Sequence, residues 1–390
     1  VSGYPPDELL ADSVDEPARD PGWWDAIRHP SRRGWMLIVS ATTTLVLLAV
    51  ALWLPVPFVK LSPGPTFNVI GQDDGEDVIT ITGTETFPVS GTLDMTTVYE
   101  RGGPRRGLTF VEAVAAWLNP SDAVVPRELL FPDDITGEEV QQRQALLFDT
   151  SESNAVAAAM RYLDRPVSTT VVANAVYPDT PADGVLLPKD EIVRVDGEDV
   201  TSAEQVVRIV RGSPVGSTFT MDIRRDGVEV DGAVQDDVEQ TVTVTSVPNP
   251  EDPEVPLIGV GVGELYSADF PITFTLEDVG GPSAGLVFAL GLVDKLTPED
   301  LIAGQHVAGT GTIDPQGTVG PIGGIRQKLV GARDSGATLF VMPAEHCAEI
   351  EGHVPDGLTV VPISTLSDAV DAIGAFRDGA PVPTCPVDAA

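Results

Sequence analysis

The chain has 390 residues, 59 acidic and 23 basic, for a formal net charge of −36. That balance offers no basic footprint for a phosphate backbone and excludes nucleic acid as a partner class. The length suits two or three domains with cores of their own. Each of the four lysines, Lys60, Lys189, Lys295 and Lys328, is followed by Leu or Asp, so no G-K-[ST] phosphate loop, and no P-loop ATPase, is present.

Residues 1–33, rich in Asp, Glu and Pro, read as a disordered tail. WMLIVSATTTLVLLAVALWL follows, Trp35–Leu54, without a charge. At about 1.5 Å per residue it spans roughly 30 Å, the thickness of a bilayer core, and a transmembrane helix is placed at 34–58. Arg19, Arg28, Arg32 and Arg33 precede it, whereas Lys60 is accompanied downstream by Asp73 and Asp74. The positive-inside rule sets the N-terminal tail in the cytoplasm and everything beyond Leu54 outside. A cleaved signal peptide competes, with Ala49-Val50-Ala51 as its small-residue site. The long acidic tail and the continuing Leu-Trp-Leu favour an uncleaved anchor in the lipid bilayer.

Residues 59–165 read as an extracytoplasmic α+β region without evident chemistry. It holds a Pro/Gly linker, strands near 78–82 and 91–98, a helix over 108–118, a capping box at Thr136-x-x-Glu139 and a helix near 155–163. Over 166–250 the pattern alternates as strands do, in TTVVANAV, FTMDIRRDG and EQTVTVTSV, and Thr201-x-x-Glu204 opens a helix over Ala203–Arg211. This stretch resembles the bacterial PDZ domains through Thr180-Pro181-Ala182, Leu186-Leu187, Asp190-Glu191-Ile192 and Asp196-Gly197. It departs from them at Lys189, where that family has a turn glycine. The resemblance implies a groove that takes an extended peptide as an added strand against Thr169–Ala173, beside the 203–211 helix. The alternative is a small β-domain used only for packing.

From 255 to 390 strand and helix patterns alternate, as in an α+β or α/β domain. Asp314-Pro315-Gln316-Gly317 has the signature of a type I turn and joins VAGTGTI to TVGPI. GGPSAG, at 280–285, runs into an apolar helix and sets Ser283 at the bend. If Ser283 is a nucleophile, its proton goes to a histidine or a lysine. His353 is the base that a Ser-His esterase would use. Lys328 lies on a helix opened after Gly323-Gly324 and ended at Gly336, beside the apolar face of Ile325, Leu329 and Val330. Partial burial there lowers an amine from about 10.4 towards 7–8. A lysine kept in a chain that otherwise uses arginine suits a role needing deprotonation. HCAEIEGH, with His346, Glu349, Glu351 and His353, reads as a polar loop rather than a metal site, since H-E-x-x-H is missing. No metal or cofactor is expected. Outside the cytoplasm, Cys347 and Cys385 are expected to form a disulfide.

Three motifs in order, Gly281-Pro282-Ser283-Ala284-Gly285, Gly309-Thr310-Gly311 and Pro321-Ile322-Gly323-Gly324-Ile325-Arg326-Gln327-Lys328-Leu329, resemble the proteolytic domain of the Lon family over about 256–376. The resemblance implies Ser283 as nucleophile, Lys328 as general base and Thr310 as the residue orienting the lysine. Gly280 departs from it, standing where cytosolic Lon enzymes carry an acidic residue, and no ATPase accompanies the domain. The layout resembles the membrane-anchored PDZ–Lon-like proteins of Gram-positive bacteria. The expectation is a multi-domain chain with one N-terminal transmembrane helix, an α+β spacer, a PDZ-like β-domain and a C-terminal α+β Lon-type domain. Its implied activity is that of an ATP-independent serine endopeptidase acting on extracytoplasmic protein or peptide substrates. A non-catalytic PDZ adaptor and a Ser-His esterase are the alternatives. Lon-type domains often form rings, which leaves a homo-oligomer open.

Overall fold

The computed structural model describes residues 32–103, 107–131, 137–230, 233–235, 238–276 and 279–385. Most of the expected tail, with Arg19 and Arg28, and Thr136 of the expected capping box lie outside the described residues. The described residues divide into two compact units, one holding 32–56 and 109–111, the other the rest of them.

In the first unit, α1 (Arg32–Trp53) is one helix of 22 residues, none of them buried. Its backbone groups bond within the helix, and beyond Arg32 and Arg33 its side chains carry no charge and are apolar apart from Ser40 and Thr42–Thr44, the combination that hydrocarbon tolerates. It is long and apolar enough to cross a membrane.

The main elements that follow run in chain order as β1 (Phe58–Asn68), β2 (Thr92–Arg101), α2 (Phe110–Leu118), β3 (Ala123–Pro126) and α3 (Gly137–Tyr162). Next come β4 (Ser168–Val176), β5 (Glu191–Val195), α4 (Ala203–Arg211), β6 (Thr218–Arg225), β7 (Val238–Thr245) and β8 (Val260–Ser267). The chain continues with α5 (Gly285–Leu296), β9 (His306–Gly309), α6 (Ile325–Ser335), β10 (Leu339–Pro343), β11 (Thr359–Ile363) and α7 (Leu366–Arg377).

In the second unit one sheet has the order β11-β10-β9-β2-β1-β3. It corrects the reading of 59–165 as a separate spacer. β2 pairs in parallel with β9, His306 opposite Thr92, so strands from both ends of the unit share one sheet. The first of its two cores lies under α3, α5 and α7, the second under α6. Successive residues of β10 serve them alternately, Leu339 and Val341 facing the first and Phe340 and Met342 the second. A strand covered on both faces has to be apolar throughout, and LFVMP is. α5 is apolar over most of its circumference for the same reason, Asp294 and Lys295 in its last turn excepted, with Leu286 to Leu290 almost wholly buried. Phe288 meets Phe148 of α3 edge to face, ring centroids 5.7 Å apart. Burying a side chain of that size contributes about 2–3 kcal/mol.

A second, antiparallel sheet has the order β7-β6-β5-β4-β8 around its own core, with Phe219, Met221 and Ile223 at the centre. Two expectations change here. The PDZ-like part does not end at 250, because β8 belongs to its sheet. The edge of β4 at Thr169–Ala173 is not open, because β8 pairs with it from Val260↔Val176 to Ser267↔Ser168. The outer edge of the sheet is that of β8, beside α4, whose Ala203 N–H donates to Glu264 Oε1 at 3.0 Å. The N-cap of α4 is Ser202, which accepts from Gln205 N–H, rather than Thr201. Ser202 takes the extended conformation that the cap position needs.

Candidate active site

Ser283 stands on a short turn ahead of α5, held from both sides. Gly281, with φ at +87°, lets the chain bend into the turn. Its N–H donates to the Gln144 carbonyl of α3 at 3.2 Å, and Ser151 Oγ of α3 donates to the Pro282 carbonyl at 3.0 Å. On the far side the Ser283 carbonyl accepts from Gly311 N–H at 3.0 Å and from Thr310 Oγ1 at 3.1 Å. Gly285 is required by close approach. A Cβ there would lie 2.8 Å from both Ser151 Oγ and Ile313 Cγ2.

The structure brings Ser283, Thr310 and Lys328 together. Thr310, just beyond β9, is completely buried, and Lys328, in the first turns of α6, is 3% exposed. Lys328 Nζ lies 2.7 Å from Ser283 Oγ and 2.9 Å from Thr310 Oγ1. Burial alone pushes the Lys328 amine down to about 7, because the charged form loses its water. α6 opens after Gly324 and ends at Gly336, both left-handed, with Ile325 and Leu329 buried on either side of Lys328.

Ser283 and Lys328 border a cavity of about 590 Å³, whose walls include Leu61, Phe67, Met95, Val98, Leu130 and Ile322, with Thr310 buried behind them. β1 and β2 supply part of that lining, so the segment expected to carry no chemistry forms a wall of the site. Gly280 also has a local reason. A Cβ at 280 would come within 3.0 Å of Gln144 Cβ, so the passage of α3 leaves almost no room for a side chain there.

The polar loop has a structural part. His346 Nε2 accepts Ile322 N–H at 2.9 Å and its Nδ1 faces Glu349 Oε2 at 3.1 Å, which fixes the loop ahead of α6. His353, the base of the esterase alternative, is exposed, and its Nδ1 bonds to the Glu351 carbonyl outside the cavity lining. Cys347 and Cys385 form a disulfide that packs against the core beneath α6. The contributions of Gln144 and Ser151 escape sequence reasoning. Their only signal is a pair of small polar residues, Ser151 and Ser153, in a helix that turns alanine-rich.

Residues 277–374 match the family described as the Lon protease (S16) C-terminal proteolytic domain, and residues 172–225 match the PDZ domain. The chain is similar to the mitochondrial Lon protease homolog of Debaryomyces hansenii, 36% identical over 96 residues, covering 24% of this chain and 9% of that protein. It is likewise similar to Lon protease 1 of Bacillus subtilis, 36% identical over 94 residues, covering 23% and 12%. The chain thus spans about a tenth of the length of these two relatives. Among solved structures, the PDZ domain of an SdrC-like protein from Listeria monocytogenes aligns at 20% identity over 24% of this chain and 85% of that one, with a TM-score of 0.19. This chain therefore carries a Lon-type serine protease domain together with a PDZ domain.

Proposed function

We propose that this protein is a serine endopeptidase that works without ATP, anchored in a membrane by α1 with its folded domains on the extracytoplasmic side. The observation that carries the reading is the buried Lys328 amine set between Ser283 Oγ and Thr310 Oγ1. The Thr310 hydroxyl gives its own proton to the Ser283 carbonyl, so it can only accept from Nζ. One amine hydrogen is thereby committed to Thr310, and the lone pair of the neutral amine is left for the serine proton. With the amine at about 7, a large fraction is neutral at physiological pH.

In the proposed reaction Lys328 removes the Ser283 proton as Oγ attacks the peptide carbonyl. The resulting ammonium protonates the leaving amine, and water, activated by the same lysine, releases the acyl group. The N-terminus of α5 offers backbone N–H groups to the developing oxyanion. The apolar cavity walls suit an unfolded segment with an apolar side chain. The edge of β8 beside α4 is the proposed place where a substrate tail adds as a strand.

Full-length protein in detergent is expected to cleave an unfolded protein such as reduced casein without ATP, and both Ser283→Ala and Lys328→Ala are expected to abolish cleavage. Activity that survives Lys328→Ala but not His353→Ala would replace this reading with the esterase. Tight binding of peptides without turnover would replace it with the adaptor. Alkaline extraction of membranes is expected to leave the chain in the pellet, whereas a cleaved leader would release it.

A further inference from the structure

Ser151 lies on α3, outside both segments that match known families, and is 3% exposed. A helical Ser or Thr commonly turns its hydroxyl back to the carbonyl four residues earlier. Thr150 does this, donating to the Leu146 carbonyl at 2.8 Å. Ser151 does not. Its hydroxyl leaves the helix and donates to the Pro282 carbonyl, the group immediately before Ser283.

We infer that Ser151 is a positioning residue that aims the Ser283 N–H at the oxyanion. The inference rests on the reading of Ser283 as the nucleophile. The Pro282 carbonyl and the Ser283 N–H belong to one peptide unit, which is planar and trans, so the two groups point in opposite directions. Holding the carbonyl towards α3 turns the N–H away from it. The next peptide unit is fixed as well, through the Ser283 carbonyl and its bonds to Gly311 N–H and Thr310 Oγ1. With the planes on both sides of Ser283 pinned, its N–H has one direction, on the same residue as the attacking Oγ. Such pre-orientation matters most when negative charge appears on the substrate oxygen, and little while the carbonyl is neutral.

The test separates these two states. Full-length protein is titrated with a dipeptide boronic acid bearing leucine at the boron, which forms a tetrahedral adduct with the serine, and with the matching peptide amide. Ser151→Ala is expected to lower kcat about 10- to 100-fold with KM nearly unchanged, a part of what losing an oxyanion donor costs. Boronate affinity should fall in proportion while amide affinity stays constant, and Ser151→Thr should restore both kcat and boronate affinity. Unchanged boronate affinity in Ser151→Ala, or an equal loss for the amide, overturns the inference. In the unmutated protein labelled with 15N-serine, the Ser283 amide proton is expected to move downfield in the adduct. An unmoved amide overturns the inference whether or not the variants fold. Cleavage that survives Ser283→Ala removes the nucleophile reading and the inference with it. Loss of cleavage in Ser283→Ala alongside normal boronate binding by Ser151→Ala removes the inference alone.

Discussion

Lys328 is buried with no carboxylate beside it among the described residues, and that is costly to the fold. Its amine sits near 7 in the folded chain and near 10.4 when unfolded, so between those values the folded state binds fewer protons. Stability therefore rises with pH across that window, and the full cost of the buried charge is felt below pH 7. Lys328→Met is expected to abolish cleavage and to raise stability by on the order of 2–4 kcal/mol at pH 6, with the gain shrinking towards pH 10. Denaturant melts at pH 6 and pH 9.5 check the sign. On the proposed mechanism, in which only the neutral amine accepts the serine proton, kcat/KM should climb through an apparent pKa of about 7. Lys328→Arg should be inactive at every pH, since arginine keeps its proton.

The neighbourhood of Ser283, Thr310 and Lys328 was legible because each residue sits in a short glycine-marked segment with local geometry of its own. Gln144 and Ser151 were not, because a long helix gives no sign of which distant loop its polar residues touch. α3 is the element on which the two folded parts meet. Ser151 and the Gln144 carbonyl face the Ser283 turn, while two residues past Ser151, Ser153 Oγ accepts Tyr266 N–H of β8 at 2.6 Å. Asp149 of α3 pairs with Lys189, which stands in the PDZ turn with φ at +75°. The conformation favours glycine, and Lys189 brings to it a side chain long enough to reach α3. Glu152 shares this junction, and burial, reinforced by Asp149, pushes it up to about 8. The folded chain holds that proton above the unfolded value of 4.5, so stability should fall as pH rises from 4.5 to 8. Glu152→Gln is expected to remove this slope and to add on the order of 1–3 kcal/mol at pH 8, read from melts across the range.

At the scale of the molecule, sequence patterning identified the strands but not their partners. β2 and β9 pair across more than two hundred residues, and nothing in an alternating pattern specifies so remote a neighbour. The shared sheet makes a direct prediction. A fragment of residues 255–390 lacks β1, β2 and β3 and is expected to show neither a cooperative melt nor boronate binding. Replacing 168–267 by a short Gly-Ser linker should leave a cooperatively folding protein, because Ser168 and Ser267 are opposite each other in the β4–β8 ladder. Circular dichroism melts of the two proteins compare them. The disulfide closes a loop with a sequence separation of 38 residues, and its reduction should cost about 4 kcal/mol, seen as a lower melting temperature with reductant.

The pairing of Ser168 with Ser267 also bears on the order in which the chain assembles. As an open coil, the stretch between β2 and β9 would have to close a very long loop before their contacts could form. Once the β4–β8 sheet has formed, its two ends emerge side by side, and the loop is shortened by about a hundred residues. The PDZ part would then act as an internal chaperone for the sheet that carries the protease. A destabilising change in its core, such as Phe219→Ala, should slow the appearance of boronate-binding protein in refolding, although Phe219 lines no part of the cavity at Ser283.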